Sequence, residues 1–220
     1  MPQHWIAGSI MGAKEYNFNL ETFDKQKDVG KNLFGCLYNI PSWNRLCLLS
    51  YVKYNTKHSS LLACNISFDE GLYNTLQLDR VITESPGELY KIIDYLKTNP
   101  QPLPNHPGHK PGRFENMEIM KFYNDFFIDI VAETYNEGTT LFFTEKTFRP
   151  ILALTPFIIF GSRHFLSSLK YRYGFKTFDD CWSEEYDNYA GFERIKKNDF
   201  RITKQEFDSD LYHYSTWPKR

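Results

Sequence analysis

The chain has 220 residues, 41% hydrophobic and 24% charged, with a formal net charge of −1 and a large aromatic complement of 15 Tyr and 19 Phe. This size suits one ordinary domain with its own core, and the balance excludes an intrinsically disordered chain. A charge so close to zero supplies no general field for holding nucleic acid, so such a contact would need a local basic patch.

Residues 1–30 show no pattern that assigns them a fold, and they are set aside as an N-terminal extension. Their start, "MPQHWIAGSIMGAKEYNFN", has neither the basic nor the apolar region of a signal peptide, and no later run reaches membrane-spanning length. A soluble cytoplasmic chain is expected. Cys36, Cys47, Cys64 and Cys181 lie far apart with no C-x-x-C pair, which points to reduced thiols rather than zinc or a disulfide framework.

The apolar run "KNLFGCLYN" (31–39), stopped by Pro41, predicts a buried strand. Ser42 then caps a helix whose Leu46, Leu49 and Val52 fall on one face, leaving Arg45 in the first turn and off that stripe. "SLLACNIS" (60–67) predicts a second strand. "SPGELYKIIDYL" (85–96) carries the S-x-x-E capping box with proline at the first helical position. The proline-rich stretch 97–113 reads as a long surface loop. It contains His106 and His109, the one close pair among the six histidines, and solvent exposure is the simpler reading of them than metal binding. No metal is expected.

After the loop the strand–helix rhythm resumes. A helix is expected around 114–124 and a strand at "FIDIVAE" (127–133). Thr144 caps a helix reaching about Leu154, "PFIIFG" (156–161) forms a further buried strand, and a helix through Phe165, Leu166 and Leu169 closes near Gly174. Apolar strands alternating with helices imply an α/β fold: a Rossmann-like parallel sheet with helices on both faces, spanning 31–200, followed by a tail at 201–220.

In such folds ligands sit beyond the carboxyl ends of the strands, where helix N-termini present free amides to an anion. Two segments qualify. In "YNIPSWNR" the strand ends at Asn39, and Arg45 occupies the next helix's first turn, where a cation opposes the macrodipole unless an anion is bound. Arg45 reads either as a phosphate ligand or as a solvated first-turn residue. In "FFTEKTFRP" (142–150) Thr144 caps, Lys146 and Arg149 share a face and can offer donors to one anion, and Glu145 can accept from ribose or sugar hydroxyls. The alternative is a solvated first turn with a Glu145–Arg149 ion pair. Pro150 either lies inside the helix, at a cost of roughly 3 kcal/mol, or marks the end of its first turn. Glu133, at the tip of its strand, is sited for ligand contact or proton transfer, or for capping a turn. "RIKK" (194–197) and "KYNTKH" (53–58) are basic stretches that most simply form solvated faces.

The segments "LFGCLYNIPSWNRLCLLSYV", "VAETYNEGTTLFFTEKTFRPILALTPFIIFG" and "GFKTFDDCWSEEYD" together resemble a family of phage and bacterial glycosyltransferase-like proteins. The T-E-K run is also similar to that of the α-1,3-fucosyltransferases. The resemblance spans about 31–195 in pieces and implies the C-terminal, nucleotide-sugar-binding half of a GT-B fold. By that resemblance Arg45 and Lys146 contact the donor diphosphate, Glu145 the ribose, and Glu133 lines the pocket near the transferred sugar; as the carboxylate at the strand tip Glu133 is also the candidate catalytic base. Asn39, Thr144 and Arg149 belong to the same pocket. The implied activity is a metal-independent, inverting glycosyltransferase whose nucleotide-diphosphate sugar is a co-substrate rather than a cofactor. The acceptor is left open among glycan, protein and modified nucleic acid. A GT-B enzyme has a second domain for the acceptor. Here that half comes from another subunit or copy, from a macromolecular acceptor, or is lacking, as in a non-catalytic binding or assembly protein.

Overall fold

The computed structural model describes residues 32–38, 42–64, 86–98, 117–179 and 182–197. The N-terminal extension, Asn39, the proline-rich stretch from 99 onward, Cys181 and the C-terminal tail lie outside them.

Strand β1 (Asn32–Tyr38) leads to helix α1 (Trp43–Asn55), and strand β2 (Ser60–Cys64) is followed by helix α2 (Pro86–Lys97). The predicted helix near 114–124 is a short α3 (Met117–Met120) that tightens into a 3₁₀ turn, Lys121–Asn124, before strand β3 (Phe126–Ala132). Helix α4 (Glu145–Leu152), strand β4 (Phe157–Phe160) and helix α5 (Phe165–Tyr173) follow. A 3₁₀ turn at Glu185–Asn188 and helix α6 (Gly191–Lys197), neither expected from the sequence, complete the described chain.

Local chemistry explains most of these boundaries. The Ser42 hydroxyl accepts the Arg45 amide at 3.4 Å, starting α1 as a serine N-cap does. Helix α4 stops at Leu152 rather than Leu154 because Leu154 turns left-handed, with φ 50°. Gly174, at φ 71°, ends α5 by donating its amide back to Lys170 at 3.1 Å. Pro150 lies within α4 and is buried, so it does not mark the end of a first turn.

The four strands form one parallel sheet in the order β2-β1-β3-β4. This is the expected α/β, Rossmann-like arrangement. Alternation along β1 divides two buried clusters between the faces of the sheet. Phe34, Cys36 and Tyr38 pack with Leu46, Leu49 and Val52 of α1 and with Ile92 and Tyr95 of α2. Leu37 packs instead with Ile119, Met120, Tyr123 and Ala153. Helices therefore cover both faces, which is why the strands read as nearly continuous apolar runs. Cys36, Cys47 and Cys64 form no disulfide and are buried within this core. Gly35 is required by close packing in the sheet, since a Cβ there would lie 2.4 Å from the Phe126 ring.

The strand order also fixes where a ligand would fit. From β1 the chain crosses through α1 to β2 on one side, and from β3 it crosses through α4 to β4 on the other. The crossovers diverge between β1 and β3, which makes the carboxyl ends of those two strands the topological switch point of the sheet.

Candidate functional site

The N-termini of α1 and α4 both open at this switch point, and each is built from a hydroxyl cap. Glu133 follows β3 directly, and its amide donates to the Phe160 carbonyl at 2.9 Å, extending the ladder one residue past the strand. Its side chain turns back under the start of α4 and is 1% exposed. Oε1 accepts the Thr144 amide at 3.0 Å and the Thr147 hydroxyl at 2.5 Å, and Oε2 accepts the Thr144 hydroxyl at 2.5 Å. Three donors on one buried carboxylate meet the condition for keeping a charge out of water.

The Thr144 hydroxyl carries the connection onward. While donating to Glu133 it accepts the Lys146 amide at 3.2 Å and the Lys146 ammonium at 3.2 Å, which uses its one donor and both acceptor positions. The same ammonium reaches the Thr134 hydroxyl at 3.3 Å and Glu145 Oε1 at 3.2 Å. Arg149 stands 3.8 Å from that Glu145 oxygen, so two cations share one carboxylate. Burial alone would raise the Glu145 pKa, but Lys146 and Arg149 outweigh it and hold the carboxyl below its ordinary value.

Arg45, in the first turn of α1, interacts electrostatically with Glu133 and Glu145. It is a buried residue, so the solvated first-turn reading of Arg45 is corrected. Burial holds its guanidinium below the usual arginine value, while Tyr38, Cys64, Glu133 and Glu145 act in the opposite direction. Arg45 thus shares its electrostatic neighbourhood with Glu145, the carboxylate paired to Lys146 and Arg149. The solvated alternative for α4 is also incomplete: Thr144 and Thr147 are buried, and the side chains of Lys146 and Arg149 are only 20% and 19% exposed.

A direct bond ties the two helix starts together. Asn44, in the first turn of α1, donates its side-chain amide to Asn136 Oδ1 at 2.9 Å. Asn136 is buried in the β3–α4 loop, and its carbonyl accepts the Gly191 amide at 2.8 Å, which brings in the start of α6. Further along the loop, Gly138 adopts φ 68° and its carbonyl accepts the Arg163 amide at 3.3 Å. Sequence reading pointed to none of Asn44, Asn136 and Thr147. For Thr147 a signal existed, because it lies one helical turn after Thr144 and so on the face toward Glu133.

Arg194 corrects the reading of "RIKK" as a solvated basic face: it is 1% exposed. Its guanidinium donates to the carbonyls of Ile159 at 2.9 Å, Ser162 at 3.0 Å and Tyr189 at 3.1 Å, and to Asp187 Oδ1 at 2.9 Å. Asp187 in turn accepts the amides of Leu166 and Ser167 at 2.9 and 3.0 Å and the Ser167 hydroxyl at 2.9 Å, capping α5 from a distant segment. That cap is needed because His164, the residue before α5, is left-handed and makes no side-chain cap bond. The pair fastens the 185–197 segment to the end of β4.

Among the described residues no group of three or more His, Cys, Asp or Glu side chains is arranged to hold a metal ion. Among them too, no helix is long and apolar enough to cross a membrane. Comparisons with protein-family models, with curated proteins and with solved structures each found no match.

Proposed function

We propose that the rim between β1 and β3 binds the diphosphate of a nucleotide-linked sugar, and that the protein is a metal-independent glycosyltransferase. The observation that carries this reading is the pairing of both Lys146 and Arg149 with Glu145 at the capped start of α4, on the carboxyl side of β3, with buried Arg45 in the first turn of α1 feeling the charges of Glu145 and Glu133. Three positive and two negative groups leave a local excess of positive charge in a chain whose net charge is −1. A phosphate oxygen is a better acceptor for the Lys146 ammonium than the neutral hydroxyls of Thr134 and Thr144 that it now contacts. Negative charge that grows on the leaving diphosphate as the sugar departs is stabilised by cations already in place. Glu145, kept ionised by its two neighbours, accepts from ribose hydroxyls. In a single displacement the acceptor oxygen bonds to the anomeric carbon as its bond to the diphosphate oxygen breaks, the nucleoside diphosphate leaves and the hydroxyl proton passes to water, which inverts that carbon.

Glu133 has a different part in this scheme from that of a base. With both oxygens occupied by Thr144 and Thr147 and the residue buried, it positions the Thr144 cap and, through it, Lys146. That occupancy also favours a second reading, a binding or assembly protein that retains the donor fold without transfer. Thermal shift with UDP, GDP, ADP, CMP and dTDP tests the shared premise, and donor turnover with the sugar derivatives of any nucleotide that stabilises the fold separates the two. Stabilisation with turnover supports the transferase. Stabilisation without turnover on any donor supports the binding protein, and no stabilisation by any nucleotide removes both.

A further inference from the structure

We propose that Tyr135 and Phe142 form the platform on which the transferred sugar of the donor lays its apolar face, an inference that rests on the diphosphate reading above and adds the place of the sugar. The two rings are 54% and 45% exposed and meet edge to face, with centroids 5.6 Å apart and an interplanar angle of 87°. Exposed apolar residues scattered singly over a surface need no explanation, but two touching aromatic rings beside a cluster of cations do.

The loop that carries them is held on both sides of Tyr135. Thr134 accepts from the Lys146 ammonium, and Asn136 is buried and bonded to Asn44 and Gly191. Two residues after Phe142, Thr144 is locked to Glu133. The rings are therefore presented by an ordered backbone.

The side of the diphosphate on which they lie follows from Lys146. Its ammonium contacts Glu145 Oε1 at 3.2 Å and the Thr134 hydroxyl at 3.3 Å. With the ribose held by Glu145, the sugar at the other end of the diphosphate is assigned to the Thr134 contact, next to Tyr135. A pyranose has one face of C–H groups, and an exposed aromatic ring gives that face contact area with little conformational cost.

The test is calorimetric titration of the full chain with UDP, UDP-glucose, GDP and GDP-fucose, comparing wild type with Tyr135→Ala/Phe142→Ala and with Tyr135→Trp. For whichever nucleotide binds, the double variant should keep nucleoside-diphosphate affinity within about twofold and lose about threefold to tenfold in affinity for the sugar nucleotide. Tyr135→Trp, which keeps a ring face, should retain wild-type preference. Equal loss for both ligands, or no loss for either, overturns the platform, while the diphosphate reading still stands on wild-type binding. Where ADP or dTDP is the nucleotide that stabilises the fold, it and its sugar derivative replace the four ligands, and failure of wild type to bind any of these nucleotides overturns the diphosphate reading and this inference with it.

Discussion

The Glu133 carboxylate and the Thr144 hydroxyl meet at 2.5 Å, so the residue after β3 is bonded directly to the N-cap of the helix that carries Lys146. The cap's other bonds go to the Lys146 amide and ammonium. The orientation of the lysine is thereby tied to a group inside the protein, which is how a binding side chain is held ready before its ligand arrives.

Disturbing this clamp should cost stability as well as binding. Thr147→Val removes one of the three donors at nearly constant volume and is expected to destabilise the fold by about 1–2 kcal/mol in urea unfolding. Glu133→Gln should cost at least as much, because its amide group faces hydroxyls that now donate to a carboxylate. The double variant should lose less than the sum of the two, since both act on one network. Strict additivity would show that the network is not a unit.

Asp187 and Arg194 predict the acid behaviour of the fold. Burial would raise the Asp187 pKa, but Arg194 and the amides of Ser167 and Leu166 outweigh it and hold the carboxyl below its ordinary value. A depressed folded-state pKa contributes stability that is present above the unfolded value, near 3.9, and is lost as pH falls through the lower folded value. Stability should therefore drop below about pH 4, and Asp187→Asn should flatten that limb of the curve while lowering stability at neutral pH. Arg194→Met, which leaves the carboxylate buried without its cation, should cost about 3–5 kcal/mol. A loss below 1 kcal/mol would mean that the pair does not anchor the 185–197 segment.

Gly35 should not tolerate a side chain. Its ideal Cβ lies 2.4 Å from the Phe126 ring, so Gly35→Ala is expected to destabilise by about 1–3 kcal/mol. Adding Phe126→Leu should restore part of that loss in chemical denaturation, through relief of the same contact. A double variant no better than the sum of the single changes would place the strain elsewhere.

The strands and α4 were legible in the sequence because their determinants are local. "FIDIVAE" is apolar at nearly every position because both faces of β3 are covered, and Thr144 and Ser42 stand where their caps are. The candidate site was legible as far as Arg45, Glu145 and Lys146, each at the start of a helix following a strand, and Arg149, one turn further along α4 on the face of Glu145. Whether these groups approach one another depends on strand order, which local pattern does not specify. The Asn44–Asn136 bond joins residues 92 apart and has no local signature. Helix α6 escaped notice because one of its core-facing residues is an arginine, and its burial depends on carbonyls offered by Ile159, Ser162 and Tyr189. For Glu133 the sequence leaves ligand contact, proton transfer and turn capping open, because the threonines that occupy its carboxylate lie beyond a loop.

The central claim is that Arg45 and Lys146, on different helices, grip one diphosphate. Calorimetric titration of a nucleoside diphosphate into wild type, Lys146→Ala, Arg45→Met and the double variant measures this directly, with thermal unfolding as the check on folding. The account predicts at least about tenfold weaker binding in each single variant and a double variant whose loss departs from the sum, as expected for charges acting on one anion. Unchanged affinity in both folded single variants would contradict it.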